Sequence, residues 1–423
     1  MIYNILMYAL KVGIAFCSLY NDKLKKMHIG EHLSFKLLKE KVNKNDEYLW
    51  FHAASLGEFE QGRPLIEAIR REKPQYKILL TFFSPSGYEV RKDYKGADII
   101  TYLPIDTPKN ANRFIDLINP KMAFFIKYEF WYNYLKILKE RNIPSYSISS
   151  IFRPQQVFFK LYGRKYSKVL NYFTRFYVQN TASKQLLSNI GINNVTVSGD
   201  TRFDRVIDIR NQSKRLPIVE AFTGKEITKQ GTLLTRKRNN RLIFVAGSSW
   251  LVDEKIFLKY FNAHPGWKLI IAPHVISTNR LSQIKTLISK DKKVINYTHA
   301  TATDVSDADV LIVDCIGLLS SIYMYGDLSY VGGGFGVGIH NVLEPAVCGT
   351  PVIFGPNNSK FAEARGLIST NGGFEIKDYN SFVTTIDKVT KTNEALKSYG
   401  QAAYNYVCGL TGATKKILSE IKL

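Results

Sequence analysis

The stretch YVGGGFGVGIHNVLEPAVCGTPVIFGP, Tyr330 to Pro356, reads as strand, glycine loop, short helix, glycine stop and second strand. Gly332, Gly333, Gly334, Gly336 and Gly338 let the backbone take positive φ and approach a ligand, and a helix after them offers free N–H groups to an anion. That is the layout of a phosphate or nucleotide cradle. His340 and Glu344, four residues apart, share a face of the first turn. A carboxylate there can accept hydrogen bonds from ribose hydroxyls, while the imidazole and the Asn341 amide hold phosphate or sugar oxygens. The structural alternative makes Asn341 the N-cap, Glu344 its capping-box partner and Gly349 the stop. These residues alone leave both readings open.

Outward from this stretch, one pattern occurs twice. YLWFHAASLGEFEQGRPLIEAIRREKPQYKILLTFFS from Tyr48, and RLIFVAGSSWLVDEKIFLKYFNAHPGWKLIIAPH from Arg241, each read as strand, Ser/Gly turn, helix and strand. The repetition predicts an α/β protein with two Rossmann-like domains, each a parallel sheet covered by helices, with ligands at the carboxyl ends of the strands. The expected divisions are a membrane-associated helix over 1–27, a first domain over 28–210, a charged and weakly periodic linker over 211–240, a second domain over 241–392, and helices over 393–423 that pack back onto the first domain. No G-x-G-x-x-G follows the first strand of either half, which counts against an NAD-dependent dehydrogenase.

The 423 residues are 45% hydrophobic, enough for two cores. Lys and Arg number 58 against 36 Asp and Glu, a formal charge of +22 that suits an anionic partner. The basic residues are spread along the chain without a zinc-finger, RNA-recognition or basic-zipper pattern, so nucleic acid is the weaker choice. Cys17, Cys315, Cys348 and Cys408 form no C-x-x-C pair, which argues against a disulfide framework or a cysteine metal site and for a reducing cytoplasm. The opening MIYNILMYALKVGIAFCSLY lacks the basic start and cleavage site of a signal peptide, and Lys11 opposes a transmembrane span. It is expected to lie in the inner face of a membrane, with Lys23, Lys25 and Lys26 at the anionic surface. The alternative is a helix packed on the protein.

Three segments carry candidate chemistry. In FHAASLGEFEQGRPL, Ser55 and Glu58 match a capping box, and Gly57 leaves room for a substrate to reach a Glu58 carboxylate acting as general base. In MAFFIKYEFWYNYL, Lys127 and Glu129 follow an apolar strand, either solvated, paired with each other, or with Glu129 stabilising a reacting centre. In VTVSGDTRFDR, Arg202 either grips a phosphate or carboxylate or pairs with Asp200 or Asp204.

Together, ASLGE, LPIDTPKNANRFIDLINPK, KYEFWYN, VSGDTRFD, AGSSW, APH, DCIGLL and GGGFGVGIHNVLEP resemble, in order and spacing, the 3-deoxy-D-manno-octulosonic acid (Kdo) transferases of lipopolysaccharide synthesis. The resemblance implies a GT-B fold with a central cleft and inverting transfer of Kdo from CMP-Kdo to a lipid A precursor, lipid IVA, at the cytoplasmic face of the bacterial inner membrane. No metal or other cofactor is implied. It also implies Glu58 as general base, with Glu129 and Arg202 stabilising the transition state. The donor set implied is Gly247, Ser248, Ser249, Pro273, His274, Gly317, Leu318, Leu319, Gly333, Gly334, Gly336, His340, Asn341, Val342, Leu343 and Glu344. Three positions depart from the family pattern, which commonly has Lys at 202 and often has Arg at 274 and Glu at 318. The rival readings are a GT-B transferase using a UDP-sugar and a non-catalytic lipid- or nucleotide-binding module.

Overall fold

Continuous apolar runs mark the strands, as parallel sheets covered on both faces require. The computed structural model describes residues 2–227, 233–234 and 241–423, which fall into two units, Met1–Arg205 with Thr411–Leu423, and Val206–Leu410.

The first unit holds β1 (Tyr48–Ala53), β2 (Lys77–Phe82), β3 (Ile99–Tyr102), β4 (Met122–Ile126), β5 (Ser145–Ser150), β6 (Arg175–Val178) and β7 (Val195–Val197). They form one parallel sheet in the order β3-β2-β1-β4-β5-β6-β7. The pleat sends Tyr48 and Trp50 into one core, with Phe114, Phe125 and Tyr134, and Leu49 and Phe51 into the other, with Phe59, Ile66 and Phe124. The second unit repeats the plan with seven parallel strands in the spatial order Val294–Asn296, Val310–Ile312, Trp267–Pro273, Leu242–Ser249, Leu328–Val331, Val352–Phe354 and Gly373–Glu375. Strand order reverses beside β1 in the first sheet and beside Leu242–Ser249 in the second, and ligands of such sheets gather at those points.

The divisions differ from those expected. The amino terminus is two helices, α1 (Ile2–Cys17) and α2 (Asp22–Lys41), broken where extended Asn21 accepts the Lys23 and Leu24 N–H groups. α2 runs through the expected boundary at residue 27 and buries Phe35 and Leu38 in the first core. The units divide at Arg205, inside the helix Thr201–Asn211. The expected linker contains a helix, Pro217–Thr223, and Leu216, Val219 and Phe222 pack with Ile243 and Val245 of the second unit. So few apolar positions make no visible period. Glu226–Ile227 pairs antiparallel with Leu233–Leu234, and 228–232 and 235–240 lie outside the described residues. At the carboxyl end, the helix Asn393–Gly409 stays with the second unit, and only Ala413–Glu420 belongs to the first. There Ile417 and Ile421 join the Phe51 core, and Asp204 accepts the Gly412 and Thr414 N–H groups. Among the described residues no helix is long and apolar enough to cross a membrane.

Candidate active site

β1 and β4 are neighbours at the reversal of the first sheet, so the chain leaves Ala53 and Ile126 side by side. Glu58 occupies the first turn of α3 (Leu56–Glu72), where its Oε2 accepts the Ala54 N–H at 2.7 Å. Ser55 makes no side-chain cap bond, so the expected capping box exists only in its carboxylate half. Burial first, then the charge of Glu129, pushes the Glu58 carboxyl up to about 7, while the Ala54 and Ser55 N–H groups and Lys127 pull it down. A Cβ added at Gly57 would meet nothing within 4 Å, so the helix surface next to Glu58 in the chain is open at Gly57.

Lys127 takes φ +65°, a left-handed conformation uncommon for a residue with a Cβ, and turns the chain out of β4. Glu129 then reaches β1, its Oε2 lying 3.1 Å from His52 Nε2 and accepting Trp131 Nε1–H at 2.7 Å. The hydrogen-bond partners of Glu129 are thus His52 and Trp131, in place of the solvent or the Lys127 ion pair expected from the sequence. Arg202 gives both its Nε, at 2.9 Å, and a terminal nitrogen, at 2.8 Å, to Asp200. Asp200 is buried and also receives Gln61 Nε2, at 3.2 Å. The ion pair foreseen for Arg202 is present, and it fixes the guanidinium plane with about a third of the side chain exposed.

The glycine loop of the second unit works differently from the cradle expected. A Cβ at Gly332 would strike the Ser248 backbone and one at Gly334 the Gly355 backbone, so these glycines permit contact between main chains. The loop amides also turn inward. Gly333 N–H goes to Asp253 at 3.1 Å, Gly336 and Gly338 N–H to the Gly333 carbonyl at 3.0 and 3.3 Å, and His340 N–H to the Gly332 carbonyl at 3.1 Å. The helix that follows is only Leu343–Val347, five residues, so His340 and Glu344 do not share its first turn. Asn341 Oδ1 accepts Leu343 N–H at 3.1 Å and its amide donates to Glu344 at 2.9 Å, while Gly349 has φ +75°. The glycine stop is as the structural alternative had it, whereas the N-cap of the helix is Val342 and Asn341 accepts the Leu343 N–H from one residue earlier.

Other members of the implied donor set divide into main-chain and side-chain candidates. Val342, Leu343 and Pro273 are buried, and Ser249 Oγ is committed to Glu254 at 2.8 Å. Gly247 and Ser248 lie in a bulge, with Ser248 at φ +53°. Gly317 has φ +87°, and Leu318 and Leu319 pack against the second core, leaving hydrocarbon and backbone to offer. What faces outward is a stack of three rings. Trp250 lies on His274 with centroids 4.7 Å apart, and His274 on His340 at 4.4 Å. Burial and the neighbouring His274 hold the His340 imidazole below its usual range. Beside the stack, a cavity of about 230 Å³ is lined by Trp250, Val252, Asp253, Gly333, Phe335 and Val337.

A family model described as 3-deoxy-D-manno-octulosonic-acid transferase (kdotransferase) matches residues 28–205. The 3-deoxy-D-manno-octulosonic acid transferase of Aquifex aeolicus is 27% identical over 369 residues, 85% of this chain and 90% of that protein. The one from Haemophilus influenzae is 24% identical over 391 residues, 88% and 86% of the two chains. These matches support assignment of the chain to the Kdo transferase family. The chain is a glycosyltransferase of the GT-B fold class. The UDP-GlcNAc 2-epimerase of Neisseria meningitidis shares that fold, with a TM-score of 0.59 at 14% identity over 88% of this chain and 98% of that one.

In this chain the sequence reading missed His52, Thr81, Trp131 and Tyr128. A histidine and a threonine inside the apolar runs YLWFHA and KILLTF, one strand apart, were the available signal for the first two. Tyr128 stands between the two charged residues that drew attention. Its buried hydroxyl has no hydrogen-bond partner among the described residues. Its phenol is pushed up chiefly by burial, with the charges of Arg153, Glu58, Arg202 and Asp200 acting on it.

Proposed function

We propose that this chain moves Kdo from CMP-Kdo to a hydroxyl of the lipid A precursor, lipid IVA, in lipopolysaccharide synthesis, with inversion at the anomeric carbon. The observation that carries the reading is Glu58, a half-buried carboxylate at the carboxyl edge of β1 with open helix surface at the adjacent Gly57 and a proton affinity pushed up to about 7. A base so tuned exchanges protons readily near neutrality. Glu58 takes the proton of the acceptor hydroxyl as its oxygen bonds to the anomeric carbon, and the bond from that carbon to the phosphate oxygen breaks with its electron pair leaving on CMP. Glu129 and Arg202, each held by a buried neighbour, stabilise the charge that develops. The scheme assigns no step to a metal. CMP-Kdo is placed at the Trp250–His274–His340 stack of the second unit, with the main chain of Gly317–Leu319 and Asn341–Glu344 as further contacts.

An amphipathic acceptor agrees with the first unit. Ile2, Ile5, Leu6, Val12 and Phe16 of α1 are exposed. A helix of 16 residues is roughly 24 Å long, short of the ~30 Å hydrocarbon core, so α1 is placed in the membrane interface at the cytoplasmic face of the inner membrane. A cavity of about 450 Å³ has apolar walls from Ile29, Leu33, Leu37 and Tyr102, and its two lysines, Lys26 and Lys36, lie 3.9 and 4.0 Å from the lining carboxylates Glu89 and Glu40. Its apolar walls suit acyl chains.

Incubating purified protein with CMP-Kdo and lipid IVA, followed by mass spectrometry of the lipid, tests the proposal. A gain of one or more Kdo masses is expected. An unchanged lipid with folded protein overturns it in favour of a UDP-sugar transferase or a binding-only module, which UDP-sugar competition then separates.

A further inference from the structure

His52 is fully buried, and so is Thr81, its register partner on β2. Resting on the reading of Glu129 as a group that stabilises the transition state, we propose that Thr81, His52 and Trp131 form a positioning relay that holds Glu129 as a carboxylate with one oxygen pinned and the other left to the substrate.

Trp50 Nε1–H donates to Thr81 Oγ1 at 2.8 Å, so that oxygen already accepts. Its single proton can go to the Phe51 carbonyl at 3.2 Å or to His52 Nδ1 at 2.9 Å. Donation to Nδ1 places the ring proton on Nε2, where it meets Glu129 Oε2 at 3.1 Å. Trp131 Nε1–H reaches the same oxygen at 2.7 Å, so the carboxylate accepts two ring N–H groups. The opposite tautomer can accept Trp131 Nε1–H at Nε2, 3.0 Å away, but it sets the Nε2 lone pair 3.1 Å from the carboxylate oxygen, lone pair against lone pair. The first arrangement instead gives the ionised oxygen two donors. Glu129 Oε1 has no hydrogen bond among the described residues.

Of the groups that bond or stack with His52, namely Thr81, Trp131, Phe125 and Glu129, only Glu129 is titratable. Further out, Glu58 feels the charge of Glu129 and of Lys127. The relay therefore reaches the general base at one remove. A Glu129 released from the His52 N–H can swing away from Glu58, which then loses part of the negative charge that raises it and becomes a weaker base.

Full-length protein with ¹⁵N-labelled histidine should show His52 as the Nε2–H tautomer, with Thr81→Ser keeping that signature and Thr81→Val losing it. In Kdo transfer, His52→Leu should lower kcat roughly 10- to 100-fold, the scale of a lost hydrogen bond to an ionised group. It should also move the acid limb of the kcat profile to lower pH, while His52→Gln, which still offers an N–H, recovers most of both. Trp131→Phe removes the second donor from the other side and gives the same direction of shift if His52→Leu does not fold. An Nδ1–H tautomer in the wild type, or equal kcat and an unmoved acid limb in the Leu and Gln variants, overturns the relay. A wild type that transfers no Kdo instead overturns the proposed reaction, and the tautomer still answers the structural question.

Discussion

The imidazoles of His274 and His340 lie face to face, centroids 4.4 Å apart with planes at 22°, and Trp250 Nε1–H points to His340 Nε2 at 3.3 Å. Burial, and then the repulsion of two rings so placed as cations, holds His340 below its usual range. With the amides of Gly333, Gly336, Gly338 and His340 turned inward, the side chains of the stack are candidates to meet a phosphate beside the remaining loop backbone. An anion arriving here favours the charged ring, so donor affinity should rise as pH falls from about 8 to about 6. Titrating CMP into the protein by calorimetry in two buffers of different ionisation enthalpy should reveal proton uptake. His274→Arg, a permanent cation, should flatten the pH dependence, and a pH-independent Kd in the wild type would refute this account.

Glu58→Gln should abolish transfer and spare donor binding. The wild-type carboxyl is pushed up to about 7 by burial and Glu129, and the base acts when ionised. Activity should therefore fall as pH drops through about 7, the titration belonging to the Glu58–Glu129 pair. Kinetics on the purified variant, with CMP binding measured in parallel, decide the matter. Transfer at the wild-type rate by the Gln variant removes Glu58 from its role.

Both parallel sheets were legible because their strands are buried on two faces and read as unbroken apolar runs around a repeated Ser/Gly turn. Glu58 was legible from its place after β1. The glycine loop misled, because close approach of Gly332 and Gly334 to the Ser248 and Gly355 backbones demands the same residue type as close approach to a phosphate. The ring stack was hidden because Trp250, His274 and His340 come from three separate strand ends, and strand order cannot be read from any one of them. The His52 relay was hidden for a related reason, since register between β1 and β2 brings Thr81 opposite His52.

The Asp200 clamp on Arg202 gives a graded expectation. Arg202→Lys keeps the charge but loses the two-point contact with Asp200, and kcat should fall by no more than about tenfold. Arg202→Met removes the charge and should cost roughly 100-fold or more, in the range of an electrostatic group acting on the transition state. Steady-state kinetics separate the two. Equal losses in both variants would show that the geometry of the guanidinium, and not its charge, is what the reaction uses.

α1 is tied to the first unit at its amino-terminal end, where Tyr3 donates to buried Asp106 at 2.7 Å and Asn4 accepts from Asn133 at 3.0 Å. Its apolar side chains are left uncovered: Ile5, Leu6 and Phe16 are 58%, 57% and 63% exposed, and Ile14 is its buried position. Immersing such a face in an interface returns about 25 cal/mol per Å² of apolar surface, and the lysines of α2 add attraction to anionic lipid. Leu6→Glu with Phe16→Glu should release most of the protein from anionic vesicles in a flotation assay. Transfer to a detergent-dispersed acceptor should stay within about twofold, since neither residue is in the Glu58 site. Undiminished flotation of the double variant would place the membrane contact elsewhere on the first unit, whereas lost transfer in detergent would mean that α1 shapes the acceptor site itself.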